Sequence, residues 1–294
     1  MINQKSTLHY YPDGDILITV KGITFCLHKN ILSLCSKVFQ DMFECAKAIT
    51  SSKEDCSTEG DIPEISLDDE SPEKFQEVLS YIYPGYYHPI TWHNVSEFLK
   101  LSDKYMMDSV MEATKVFLQQ NFRENPLLTL VLSEQYEFKY LYKESSKLVL
   151  DQLPAYQRLL GFRFLSSDSR AALFEKHMEY TNSLGSINVE TFVPRFNRIK
   201  GPVTRHLKDF KRRLSQGIRH LQVLPNPSPS ITYKFLSSLI KENNYCYINF
   251  HFHLLEKFEM FFENFEPLDC DKIKGEHDDC YIFIELGDKQ RMPK

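Results

Sequence analysis

The chain of 294 residues has one tryptophan and ten glycines, too few for a propeller or a glycine-rich β-repeat. It has no apolar run of the roughly 18 residues that a membrane-spanning helix needs. Met1 to Thr7 are polar with no apolar stretch behind them, so no secretory signal is expected. No Cys-x-x-Cys pair occurs. The seven cysteines (Cys26, Cys35, Cys45, Cys56, Cys246, Cys270, Cys280) are odd in number and scattered. They read as reduced thiols of an intracellular protein, cytoplasmic or nuclear. There is no glycine-rich phosphate loop, nucleophile elbow or His-Glu-x-x-His helix. No catalytic residue, cofactor or enzymatic activity is therefore expected. The formal net charge of −5 gives no overall case for nucleic-acid binding.

What is present is core-forming material. Hydrophobic residues make up 42% and charged residues 26%, with 22 Phe and 16 Tyr. That is ordinary globular usage, and it excludes disorder as a whole.

Ile16, Ile18 and Val20, then Ile23, Phe25 and Leu27, alternate around Lys21-Gly22. This predicts a β-hairpin with a two-residue turn. Leu32, Ser36, Phe39 and Phe43 follow at helical steps. Residues 44–61 are polar and predict a long exposed loop, and Ile65-Ser66-Leu67 a short strand. Ser71-Pro72-Glu73 opens a helix, with Ser71 as cap, that carries Phe75, Val78, Leu79 and Ile82 and stops at Pro84-Gly85. Helices are expected with Val95, Phe98, Leu99, Ser102, Tyr105 and Met106, and with Val110, Thr114 and Leu118. Further helices are expected from Asn125-Pro126 onward, one of them capped by Asp168. Residues 183–202 read as a linker. Val203, Leu207, Phe210, Leu214, Ile218 and Leu221 stripe a basic helix that ends before Pro225. Strands are expected around 246–252 and from Cys280 to Leu286.

The first section resembles the BTB/POZ family. The resemblance rests on His28, Lys29, Leu32, Ser36, Phe39, Met42 and Phe43 in one block. A second block holds Phe75, Leu79, Tyr81, Tyr83 and Gly85, and a third is Lys104-Tyr105. Tyr11 to Asp15, Tyr83-Pro84 and Val131 to Tyr136 look more like the fungal members, in which a helical tail follows the domain. The fold class implied is α+β. A BTB/POZ fold, a small sheet flanked by helices, spans 10–122. A helical, BACK-like extension covers 123–182, and a C-terminal region of unknown type, α+β or mostly helical, covers 183–294.

None of the motif residues is chemical, so function is expected in surfaces. Ile31, Leu34, Cys35 and Val38 make a second apolar stripe, and a helix apolar on two faces needs a second cover. The resemblance implies a two-fold homodimer there; the alternative is that the C-terminal section covers it. The resemblance also implies a substrate adaptor for a cullin-based ubiquitin ligase, with partner contacts in the loop at Lys47, Ile49, Glu54 and Asp55. The apolar-x-acidic signature of cullin-binding members is absent from that loop. A plain scaffold without a ligase link is the alternative.

A basic patch (Arg205, Lys208, Lys211, Arg212, Arg213) could touch nucleic acid in a nuclear regulator. The simpler reading is a solvated face of a packed helix. His251, His253, Cys270, His277 and Cys280 lack the paired ligand sets of a zinc site, so no metal is expected. His28 is expected to be a hydrogen-bonded structural residue.

Overall fold

Lys21 and Gly22 both take positive φ, 43° and 85°, the conformation that a two-residue type I′ turn demands. They join β2 (Ile16–Val20) to β3 (Ile23–Leu27), antiparallel with Ile16 opposite Leu27 and Val20 opposite Ile23. The computed structural model describes residues 4–51, 62–85, 88–187, 202–224, 226–242, 258, 261–269 and 279–287. The chain forms two units, Met1–Gln120 and Asn121–Lys294.

In the first unit, β1 (Gln4–Tyr10) runs parallel to β3, and β4 (Glu64–Ser66) runs parallel to β2. The sheet order is β1-β3-β2-β4. The polar start of the chain does not predict β1. Its inward residues are Ser6 and His9, both buried, so it shows no apolar alternation.

Helices α1 (Lys29–Cys35), α2 (Lys37–Ser51), α3 (Pro72–Ile82), α4 (Val95–Lys104) and α5 (Asp108–Asn121) complete this unit. Phe25, Leu32, Phe39, Phe75, Phe98 and Tyr105 are buried in one core with Ile16, Ile18 and Val20. Phe39 stacks on Tyr105 at 4.9 Å, and Phe75 meets Phe25 edge-on at 5.4 Å. Burying each such side chain contributes about 2 kcal/mol.

Three local expectations are corrected here. The start of the expected loop, 44–51, is the end of α2; Ala46, Lys47 and Ala48 favour continuing the helix. Ser71 precedes α3, but its hydroxyl donates to Glu73 Oε2 at 2.6 Å instead of accepting from the helix backbone. Met106 follows α4 at φ 48°, outside the helix.

The second unit is largely helical: α6 (Pro126–Gln135), α7 (Lys139–Asp151), α8 (Leu153–Tyr156), a 3₁₀ turn (Leu160–Phe164), α9 (Ser167–Ser186), α10 (Pro202–Val223) and α11 (Pro229–Glu242). Two-residue strands β5 (Glu266–Pro267) and β6 (Cys280–Tyr281) pair antiparallel. Asn125 caps α6, accepting from the Leu128 N–H. Ser166, not Asp168, caps α9; its hydroxyl accepts from the Ser169 N–H at 3.1 Å, and Asp168 sits in the first turn.

Helix α9 extends to Ser186, into the stretch read as a linker. Leu130, Tyr142, Val149, Leu173, Tyr180 and Leu184 share a core with Leu221, Phe265, Ile282 and Ile284. The described residues beyond 182 thus pack with the preceding helices. Phe210, Leu214 and Ile218 of α10 meet Leu236 and Leu239 of α11 in a second cluster. Gly217 lets the two helices approach: a Cβ there would lie 1.8 Å from the Phe235 ring.

Candidate interaction surface

Helices α1 and α2 meet at an elbow built on Ser36, whose backbone is extended (φ −140°, ψ 119°). Its hydroxyl donates to the Tyr105 carbonyl at 2.5 Å and accepts from the Phe39 N–H at 3.1 Å. A small side chain with both donor and acceptor is what a helix break needs. The Lys37 N–H reaches toward the Met106 carbonyl at 3.5 Å.

The elbow sorts the second apolar stripe. Ile31 and Val38 are half-buried against the unit's own core. Cys35 is also half-buried, and burial pushes its thiol up from the usual range. Leu34 points out, 87% exposed, and Met106 beside the elbow is 57% exposed. Ile31, Leu34 and Cys35 lie on α1 and Val38 on α2 across the elbow, and Leu34 is the one of the four that stands uncovered.

Behind the elbow, a polar cluster fastens β1 to α3. His9 is fully buried. Its Nε2 lies 2.8 Å from Ser80 Oγ, and its Nδ1 lies 3.0 Å from the Tyr11 hydroxyl. Ser80 donates to the Gln76 carbonyl at 2.9 Å, so His9 Nε2 is the donor to Ser80 and Nδ1 accepts from Tyr11. Burial lowers the His9 pKa to about 4 against the backbone contact at Gln76. Tyr11 stacks on Tyr83 at 4.9 Å, and the Tyr83 hydroxyl accepts from the His28 N–H at 2.9 Å. His28 Nε2 lies 3.4 Å from Asp13. These contacts hold a strand, a corner and a helix together.

The other sequence-assigned residues are dispersed. Lys47 and Ile49 lie on the last turns of α2, not on a loop; Glu54 and Asp55 fall outside the described residues. Lys208, Arg212 and Arg213 are exposed on α10 and Lys211 is half-buried, while Phe210, Leu214, Ile218 and Leu221 are buried. Arg205 lies near the start of the same helix. Arg212 pairs with Asp209 at 3.5 Å. Of the weighed zinc set, His251, His253, Cys270 and His277 lie outside the described residues, as does the strand expected at 246–252. Cys280 is buried, and its thiol is pushed up by burial. Among the described residues, no group of three or more His, Cys, Asp or Glu could hold a metal, and no helix is long and apolar enough to cross a membrane.

Two polar clusters of the second unit escape sequence reasoning. Lys147 is fully buried, 2.6 Å from the buried Glu144, and donates to the Pro267 carbonyl at 2.8 Å. Glu144 also accepts from the Asp269 N–H at 3.0 Å. Glu134 accepts from the Ser166 N–H, the Ser166 hydroxyl and the Ser169 hydroxyl. Charged residues on a helix read as solvated; Glu134 alone carries a local mark, its place at helical spacing after Leu127, Leu130 and Val131.

Residues 10–122 match the family model of the BTB/POZ domain. The chain is 28% identical over 170 residues to the BTB and MATH domain-containing protein 38 of Caenorhabditis elegans, covering 57% of this chain and 41% of that protein. It is 29% identical over 127 residues to the BTB and MATH domain-containing protein 36 of the same organism, covering 43% and 36%. The chain thus spans about two fifths of the length of these relatives. Among solved structures, the BTB domain of zebrafish PATZ1 matches with a TM-score of 0.29 and 22% identity, over 36% of this chain and 76% of that one.

Proposed function

Residues 10–122 are a BTB/POZ domain, a protein–protein interaction module, and we propose that it self-associates through the α1 face while the second unit captures a further protein. The observation that carries this is Leu34, a large apolar side chain 87% exposed at the centre of an otherwise half-buried apolar helix face. Isolated exposed leucines are common. This one has half-buried Ile31 and Cys35 on its own helix and exposed Met106 beside the elbow, so a partner seated there buries several apolar side chains at once. Two-fold symmetry makes such a face meet itself, and each buried contact counts twice.

Leu34→Glu is expected to shift the full chain from dimer to monomer in light scattering over a concentration series, with thermal unfolding little changed. A protein that is monomeric at every concentration before substitution would overturn the reading.

Of the adaptor and scaffold roles, the scaffold is better supported. Lys47 and Ile49 stand where cullin-binding members of the family are expected to carry the apolar-x-acidic signature. Capture of a cullin scaffold by the full chain, reduced by altering Lys47 and Ile49, would reverse that preference.

A further inference from the structure

The 3₁₀ turn before α9 exposes more apolar surface than its packing needs. With three residues per turn, positions 162 and 165 share one side; Phe162 and Leu165 are buried there, 5% and 2% exposed. Off that side, Gly161 is half-buried against Leu127, but Leu160 and Phe164 stand at 74% and 78% exposure. The buried Phe162 ring meets Phe174 of α9 edge-on at 5.9 Å. Phe174 is 45% exposed and Met178, one turn further along α9, is 57% exposed. Clustered exposure of this kind marks an interaction site, whereas isolated apolar residues on a surface do not.

Charge fixes what would cover it. Arg158 and Arg163, at the turn, are both exposed, and among the described residues neither forms an ion pair. At the α9 end Glu175 is exposed beside Phe174 and Met178, and Glu179 is paired with Lys176 at 3.7 Å, so no net positive charge continues there. We infer that this surface docks a segment of another protein that has an acidic end followed by bulky apolar side chains. The acidic end lies over the two guanidinium groups, whose forked donors suit carboxylates. The apolar residues cover Phe164 through Met178. An anionic bilayer fits less well, because Glu175 would repel it and Arg158 and Arg163 lie at one end. The surface is built on hydrogen-bonded helices, so docking orders little of this chain. It lies in the second unit and stands apart from self-association, which light scattering tests separately.

The test is a random peptide library displayed on phage and selected on the full chain, with counter-selection on the Leu160→Asp, Phe164→Asp double variant. Both positions are solvent-facing, so the variant is expected to unfold at an unchanged temperature. Enriched peptides should share an acidic end and at least two large apolar residues. The best of them should bind Arg158→Glu, Arg163→Glu about tenfold or more weakly, and wild-type binding should weaken as salt rises. Enrichment that survives in the double variant would overturn the inference, as would winners without acidic residues. Binding to phosphatidylserine vesicles in place of peptides would also overturn it.

Discussion

Replacing Lys147 by Met is expected to destabilise the second unit by about 3–5 kcal/mol, the cost of leaving one partner of a buried ion pair behind. The magnitude follows from the surroundings. Lys147 is fully buried and Glu144 is 2% exposed, so neither charge can turn to water. Glu144 keeps one partner, the Asp269 N–H, and the Pro267 carbonyl loses its donor. Nearby Glu266 is also affected. Burial works to raise its carboxyl, but Lys143 at 2.9 Å and Lys147 at 3.6 Å pull it below the usual carboxylate range. Removing Lys147 takes away one of those two cations. The double change Lys147→Met, Glu144→Leu removes both buried charges, and is expected to recover more than half of the loss. Urea unfolding followed by far-UV circular dichroism measures Lys147→Met, Glu144→Leu and the double variant, and amide exchange in α7 locates the effect. Losses that simply add in the double variant would show that the pair is not coupled.

This pair also shows where the sequence stops being informative. The hairpin is legible because its signals are local: apolar alternation on both sides of a two-residue break whose second residue, Gly22, takes positive φ without strain. The family is legible because three spaced blocks lie in register. Strand β1 is hidden because it buries Ser6 and His9 instead of aliphatic residues, and its pairing partner β3 lies some 20 residues away. The Lys147 site is hidden because its partners, Pro267 and Glu266, come from 120 residues downstream.

The apolar stripe 31–38 shows what residue type alone leaves open. Its residues are visible in the sequence, but which of them is left uncovered depends on tertiary packing. Leu160 and Phe164 run against the general tendency of large apolar side chains to be buried: both stand in solvent.

The other large effect expected is on pH. The His9 pKa is lowered from 6.5 in the open chain to about 4 in the fold. Below 6.5 the unfolded chain therefore takes up a proton that the folded unit refuses. Stability contributed by the neutral imidazole is complete above about 6.5. It falls as pH drops through that value toward 4, and levels off below, by about 3 kcal/mol in all. The physical cause is that both ring nitrogens are already used. A protonated ring would present a second N–H to the Tyr11 hydroxyl in a site closed to water. Trp92, the single tryptophan, lies in the same unit against Phe117 at 5.2 Å, so its fluorescence reports unfolding there. Urea midpoints read at Trp92 should fall between pH 7 and pH 4.5 more steeply in the natural chain than in His9→Gln, whose amide can keep one hydrogen bond but cannot titrate. Identical slopes in the two proteins would mean that His9 is not held neutral. An NMR titration in which the His9 ring protons shift near pH 6.5 would say the same.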